Sequence, residues 1–345
     1  MSSARQAFET VLKGRSLTAD EAESVIGEIL DDVVPDALVA GILIALKMKG
    51  ETASELTGGA RAMRKRARRL ELDGGRVLDT AGTGGDGAGT FNISTGAAIV
   101  AAAAGIPVAK HGNRAVSGRV GAADVLEYFG VRVDLDPQGL RRCLERAGIC
   151  FVFAPAYHPA LARLAVLRRT LGVRTLFNLL APLANAAGPR YQLLGVAERR
   201  LLRPMAQALA ALGIERAMVV HGNDGLDEIS LAASTEVVEV RGPELDEYEI
   251  SPNDFGLKPG GPAEFLTADT RNAAELLEAA LAGDRGPAGD VLALNAGAAI
   301  YVGRGAKTLS DGVNLAQKIL ASGRALETLE AMRAASQQLD ESEKK

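Results

Sequence analysis

The segment from Arg76 to Lys110 constrains the fold more than any other. Arg76-Val-Leu-Asp-Thr80 reads as a short strand, a glycine-rich loop follows, and an apolar helix runs from Thr95 to Ala104. Gly105-Ile-Pro ends that helix and Val108-Ala109 opens a second strand. Strand, helix and strand in so short a span form a βαβ unit, which pairs its strands in parallel through a right-handed crossover. The fold class is therefore α/β with a mostly parallel central sheet. Further strands are expected at Ile149 to Phe153, Leu193 to Val196, Ala217 to His221 and Val237 to Arg241, with a helical pattern at Arg199 to Leu212 between two of them. Asn272 to Ala335 reads as three or four helical pieces, and the closing Glu-Ser-Glu-Lys-Lys as a frayed end.

A different pattern precedes the sheet. Residues 4 to 68 carry helical periodicity, as in Ala22, Val25, Ile26, Ile29 and Leu30, and Thr18 with Glu21 makes a capping box. Pro159 to Leu183 turns helical again and is expected to pack back on these helices. At 345 residues the chain suits about two domains of roughly 150 residues each. The expected division is a small, discontinuous α-helical domain, 1–70 joined by 158–188, and a larger α/β domain of 71–157 and 189–345.

Charge excludes several functions. A formal net charge of −4 leaves no global cationic field for nucleic acid or anionic lipid, so any anion site is local. The basic run Arg61, Arg64, Lys65, Arg66, Arg68, Arg69 reads as the solvated side of a helix. Aromatic residues make up only 4% of the chain, too few to interleave with base as single-strand binders require. No stretch approaches the roughly 20 apolar residues that span a bilayer. The polar opening MSSARQAFETVLKG lacks a cationic segment followed by an apolar one, and a cytoplasmic protein is expected. Cys143 and Cys150 lack CxxC spacing and read as buried thiols.

Two loops carry the chemistry. Gly82-Thr-Gly-Gly-Asp86 follows the first strand and leads through Thr90-Phe-Asn-Ile-Ser-Thr95 into a helix start, a geometry suited to phosphate or pyrophosphate. Lys110-His-Gly-Asn-Arg114-Ala-Val-Ser117-Gly118 follows the second strand. In open parallel sheets both loops share one crevice, so cation, guanidinium fork, hydroxyl and free N–H groups converge on one anion. Asp227-Glu228, after another strand, is a candidate Mg²⁺ site with Ser94 as a further oxygen ligand. Asp86 would repel phosphate and is assigned to a ribose hydroxyl or to fixing the loop. Among Arg163, Arg168, Arg169 and Arg174, one arginine is expected to fork onto a carboxylate of a second substrate. His158 and His221 read as structural, and only His111 lies in a candidate ligand loop.

Taken in order, GTGGD at Gly82, TFNIST at Thr90, KHGNRAVSG at Lys110, ADVLEYFG at Ala123, FAPAYHPA at Phe153, LRRTLGVRTLFNLLAPLAN at Leu167 and HGNDGLDEIS at His221 closely resemble the anthranilate phosphoribosyltransferases, over nearly the whole chain. The resemblance implies transfer of phosphoribosyl from 5-phospho-α-D-ribose 1-diphosphate to anthranilate with Mg²⁺, in tryptophan biosynthesis, by a homodimer joined through its helical domains. It implies that Gly82, Gly85, Asp86, Thr90, Asn92, Ile93, Ser94, Thr95, Lys110, His111, Gly112, Asn113, Arg114, Ala115, Val116, Ser117, Gly118 and Ala122 surround the donor. It further implies that Gly82, Asn113 and Arg168 touch anthranilate, that Ser94, Asp227 and Glu228 serve magnesium, and that Lys110, His111 and Arg168 are the catalytic set. Departures fall at Ala122, where a small hydroxyl residue is usual, and at Ala181-Pro-Leu-Ala-Asn-Ala186 in place of Gly-Pro-Leu-x-Asn-Pro, where an added methyl narrows access for the aromatic acceptor. The competing readings are a different amino-aromatic acceptor, a pyrimidine nucleoside phosphorylase, and a non-catalytic homologue that binds nucleic acid through Arg64 to Arg69.

Overall fold

The computed structural model describes residues 3–68, 70–72, 76–115, 120–261 and 264–338, so the expected fraying of the last five residues lies outside the described residues. Four helices come first: α1 (Ser3–Leu12), α2 (Ala19–Leu30), α3 (Asp36–Lys49) and α4 (Ala53–Arg66). Thr18 and Thr52 start α2 and α4 with complete capping boxes, closed by Glu21 and Glu55. At Gly58 a side chain would overlap the Ala19 carbonyl, so glycine is what lets α2 and α4 touch backbone to backbone. Of the basic run, Arg61, Arg64, Lys65 and Arg66 lie on α4: Lys65 pairs with Glu23, Arg66 with Asp31, and Arg64 Nε donates to the Leu183 carbonyl at 2.8 Å, while Arg68 follows the helix and Arg69 lies outside the described residues.

The sheet has seven strands: β1 (Leu78–Gly82), β2 (Val108–Gly112), β3 (Ile149–Phe153), β4 (Tyr191–Gly195), β5 (Arg216–Gly222), β6 (Thr235–Arg241) and β7 (Glu244–Ile250). Their order is β3-β2-β1-β4-β5-β6-β7, with β3 to β5 parallel and the last two antiparallel. The first strand thus sits two residues later than the expected Arg76–Thr80. The β6–β7 hairpin turns on Gly242-Pro243, with glycine at φ +60° in the first central position as a type II′ turn demands. Strand β7 was not expected, because Glu244, Asp246, Glu247 and Glu249 give it the polarity of a loop. Such charge protects an edge strand from further pairing.

Alternate residues of each strand serve two faces. On one, Leu78, Val108, Phe151, Leu193, Met218 and Val220 pack with α5 (Ile93–Ala103) and the C-terminal helices, among them Pro287–Val302. On the other, Val77, Ala109, Cys150 and Val152 meet Leu140 and Cys143 of helix Pro137–Ala147. Both cysteines are free and buried, and burial pushes Cys143 up to about 11, as expected of inert thiols. The rest of this second face, Leu194, Val196, Val219, Val238 and Val240, belongs to one apolar cluster with Val25, Ile42, Leu46 and Leu56 of the first four helices. Leu164, Leu176, Phe177 and Leu180 of the later helical stretch join the same cluster, so that stretch does pack back on the N-terminal helices. Among the described residues, no helix is long and apolar enough to cross a membrane.

Candidate active site

Strand order reverses between β1 and β4, and ligands of open α/β sheets bind beyond the carboxyl ends of the strands at such a point. The final residues of these two strands, Gly82 and Gly195, are register partners. Both are glycine for one reason. A Cβ on Gly82 would lie 2.5 Å from Asp227 Oδ2, and one on Gly195 would overlap the Asp227 carbonyl. The acidic loop after β5 therefore rests directly across the glycine pair. It is held there by Asn295 of helix Pro287–Val302, which accepts from Ile229 N at 2.9 Å and donates to Ile229 O at 2.9 Å.

Three chain-distant segments meet at this point. Gly84 N donates to Asp227 Oδ2 at 2.6 Å, Ser94 N donates to Glu228 Oε1 at 3.2 Å, and Lys110 Nζ donates to Ser94 Oγ at 3.3 Å and to the Thr80 carbonyl at 2.6 Å. The glycine loop uses left-handed backbone at Gly84, Gly85, Gly87 and Gly89, which suits residues without a side chain. Asp86 Oδ1 accepts from Ala88 N at 3.2 Å, consistent with a part in fixing the loop. Thr90 bridges to Leu266, anchoring the descent into α5. Asn92 and Ile93 begin that helix. The Asn92 Oδ1 and Thr95 Oγ1 atoms are buried without partners beside Ser94.

The second loop divides. Its start is locked: Asp79, fully buried in β1, accepts from His111 N at 3.0 Å and from Asn185 Nδ2 at 2.9 Å, while Asn185 also donates to the Ala109 carbonyl. Burial raises the Asp79 carboxyl to about 6, with Lys110 opposing. Gly112 packs on Phe151 beside Ala122, which opens helix Ala122–Tyr128. Farther on, Asn113, Arg114 and Ala115 are exposed. Arg114 is not turned to the crevice as expected; it forks onto Glu127 and lies 4.8 Å over the Phe153 ring. Ala115 N is taken by Asp124 at 2.9 Å. Val116, Ser117 and Gly118 lie outside the described residues.

The other side of the crevice comes from the later helical stretch. Arg168, on helix Leu164–Leu171, is partly buried, and burial with the nearby Arg174 charge lowers its affinity for its proton. No carboxylate pairs with either arginine among the described residues. Arg163, by contrast, ties this stretch to Asp32 and Asp36 and is structural. His111 and His158 face each other edge to face at 5.6 Å, each hydrogen-bonded to the backbone, of Ala181 and Ala184 respectively, and each with Nε2 buried and unpaired. Burial holds His111 down at about 3, so its ring is neutral at pH 7. His221, expected to be structural, sits buried with Nδ1 2.8 Å from the Val196 carbonyl.

The acids here are short of cations. Burial and the neighbouring Asp86 carboxylate push Asp227 up to about 7, and burial with the Asp227 charge holds Glu228 well above the usual carboxylate range, against the pull of Lys110. Burial in turn lowers Lys110. A hard cation relieves this excess, and carboxylates plus the Ser94 hydroxyl are the oxygen donors Mg²⁺ takes. Among the described residues no three His, Cys, Asp or Glu side chains form a cage by themselves.

Asp79, Asn185, Asn295 and Gly195 were missed in the sequence. Asp79 left one signal, a carboxylate inside the apolar run Val77-Leu78-Asp79-Thr80-Ala81.

The chain matches known proteins over nearly its whole length. Residues 5–67 match the glycosyl transferase family helical bundle domain, and residues 74–326 the a/b domain of that family. An anthranilate phosphoribosyltransferase of Clostridium kluyveri is 47% identical over 320 residues, covering 93% of this chain and 96% of its own. The crystal structure of anthranilate phosphoribosyltransferase from Thermus thermophilus aligns with a TM-score of 0.91 at 41% identity, over 96% of this chain and 99% of that one. The Saccharomyces cerevisiae enzyme, solved in complex with PRPP and Mg, shares the fold with a TM-score of 0.88 at 24% identity, over 97% of this chain and 98% of its own. With the helical bundle, the α/β body and the converging loops all accounted for, this chain belongs to the anthranilate phosphoribosyltransferases.

Proposed function

We propose that the crevice at the β1–β4 switch point binds 5-phospho-α-D-ribose 1-diphosphate and passes its phosphoribosyl group to the amine of anthranilate, giving N-(5-phosphoribosyl)anthranilate and pyrophosphate. The observation that carries this is the mutual hydrogen bonding of the glycine loop, the start of α5 and the Asp227–Glu228 loop beside the Lys110 ammonium. One bond forms, between the amine nitrogen and the anomeric carbon. One breaks, between that carbon and the diphosphate oxygen, and the amine proton leaves to solvent or pyrophosphate.

Glycine-loop N–H groups beyond Gly84, with the unpaired Thr95 hydroxyl at the start of α5, hold the diphosphate, and Lys110 neutralises charge as it departs. Asp227, Glu228 and Ser94 would hold Mg²⁺, which supplies neutralisation of the leaving group's charge. Arg168, without an acidic partner, clamps the anthranilate carboxylate and aims the amine. An aniline-type amine is already neutral at pH 7, so attack needs no strong base. His111 at about 3 is poorly matched to that task, and its unpaired Nε2 is better read as an acceptor that orients the amine.

Exposed Leu12 on α1, Val33 between α2 and α3, and Met48 on α3 support a homodimer joined there, and phosphorylated substrates support a cytoplasmic setting. The pairing of Lys65 and Arg66 with acids of α2 and its end speaks against nucleic acid. The test is loss of anthranilate fluorescence when purified protein, donor and Mg²⁺ are mixed. No decay, or decay only with another amino-aromatic acid, overturns the acceptor assignment, and nucleoside phosphorolysis instead overturns the donor.

A further inference from the structure

We infer that Arg174 is a positioning residue that latches the acceptor side of the crevice onto the donor loop; this rests on the reaction proposed above. Arg174 sits in the link between helix Leu164–Leu171 and helix Leu176–Leu180. Asn178 Oδ1 accepts from Thr175 N at 3.0 Å there, and Leu176, Phe177 and Leu180 are buried with the N-terminal helices, so the residue rides on the helical body. Its guanidinium reaches the sheet body. Nη2 donates to the Thr83 carbonyl at 2.7 Å, and Thr83 is itself fixed through its N–H to Gly195 O and its Oγ1 from Ala197 N.

Gly85 is shaped to receive it. A Cβ there would lie 2.8 Å from Arg174 Nε and overlap Cζ and Nη1, so the guanidinium occupies the place a side chain would fill. No carboxylate lies within ion-pair distance of it among the described residues, and only one hydrogen bond to protein uses its five N–H donors. The same link closes the helix that carries Arg168, whose carbonyl accepts from Gly172 N at 3.2 Å. Moulding the glycine loop around the diphosphate and seating Arg168 over the acceptor are therefore one event, transmitted through Arg174.

Steady-state kinetics of Arg174→Ala, Arg174→Lys, Gly85→Ala and the Arg174→Ala/Gly85→Ala pair tests this. Loss of the charged hydrogen bond is expected to raise the KM of donor and of anthranilate together by about tenfold or more, with a smaller fall in kcat. Arg174→Lys does not restore them, because an ammonium cannot lie flat on Gly85, whereas added guanidinium ion partly rescues Arg174→Ala. Gly85→Ala costs less in the Arg174→Ala background than alone, since the overlap is gone. An inactive wild type fails the reaction itself. An active wild type whose Arg174→Ala variant keeps both KM values within about twofold, or penalties that simply add, overturns the latch. A lowered melting temperature with unchanged KM values assigns Arg174 a structural role and also overturns it.

Discussion

Gly195→Ala isolates the seating of the acidic loop from every direct contact with substrate. Gly195 ends β4 without a left-handed φ, so alanine is acceptable to its own backbone. The obstacle is the Asp227 carbonyl, which occupies the volume of the new methyl. Restoring an ordinary carbon–oxygen contact requires the loop to retreat by about 2 Å. Such a shift breaks the 2.6 Å bond from Gly84 N to Asp227 and the 3.2 Å bond from Ser94 N to Glu228. A misplacement of about 1 Å can cost 100-fold, so kcat/KM is expected to fall by at least ~100-fold, near 2.7 kcal/mol of transition-state stabilisation. The assay is anthranilate fluorescence decay at saturating donor, repeated across a magnesium titration in which half-saturation moves to higher metal. Thermal unfolding, run beside it, separates loop displacement from loss of fold. Activity within about threefold of wild type with the fold intact would refute the argument that this glycine exists to seat the acids.

Further expectations concern charge and burial. Asp227→Asn with Glu228→Gln should abolish magnesium-dependent turnover, and wild-type-like rates in that variant would remove the metal assignment. His111 has a folded pKa depressed to about 3, so its contribution is present above about 6.5 and is lost as pH falls through about 3; His111→Gln should flatten the stability loss by up to ~1.4 kcal/mol per pH unit in that window, read from urea titrations. Asn185→Ala leaves the buried Asp79 Oδ2 and the Ala109 carbonyl without a donor and should cost about 1–3 kcal/mol for each group left unpaired, with anthranilate turnover falling alongside. Glu239→Ala strips Arg216, Arg241, Tyr248 and Tyr301 of a shared buried acceptor and should cost about 3–5 kcal/mol in chemical denaturation while leaving KM values unchanged in whatever remains folded.

Local chemistry was the legible part. Glycines between a strand and a helix, followed by Lys110 after the next strand, located the crevice because those residue types act where they stand. Strand β3 was placed residue for residue, since Ile149–Phe153 is buried throughout. What escaped was chemistry made by pairs distant along the chain. Asp79 gains its partners 32 and 106 residues away, and Gly195 gains its purpose only when Asp227 is laid on it. Composition likewise cannot sort the four clustered arginines. Arg163 stitches helices and Arg174 crosses to Thr83, and only geometry tells them apart. Arg114 shows the converse case: a residue chosen for its fork spends it on Glu127.

The apolar cluster that runs from Leu46 and Leu56 into Val219 and Val238 makes the two bodies of this protein inseparable on one side. Expressed alone, the front helices would expose the surface that helix Leu202–Ala211, itself seated on β5 and β6, now covers, and a chimera taking them from a relative would inherit mismatched side chains there.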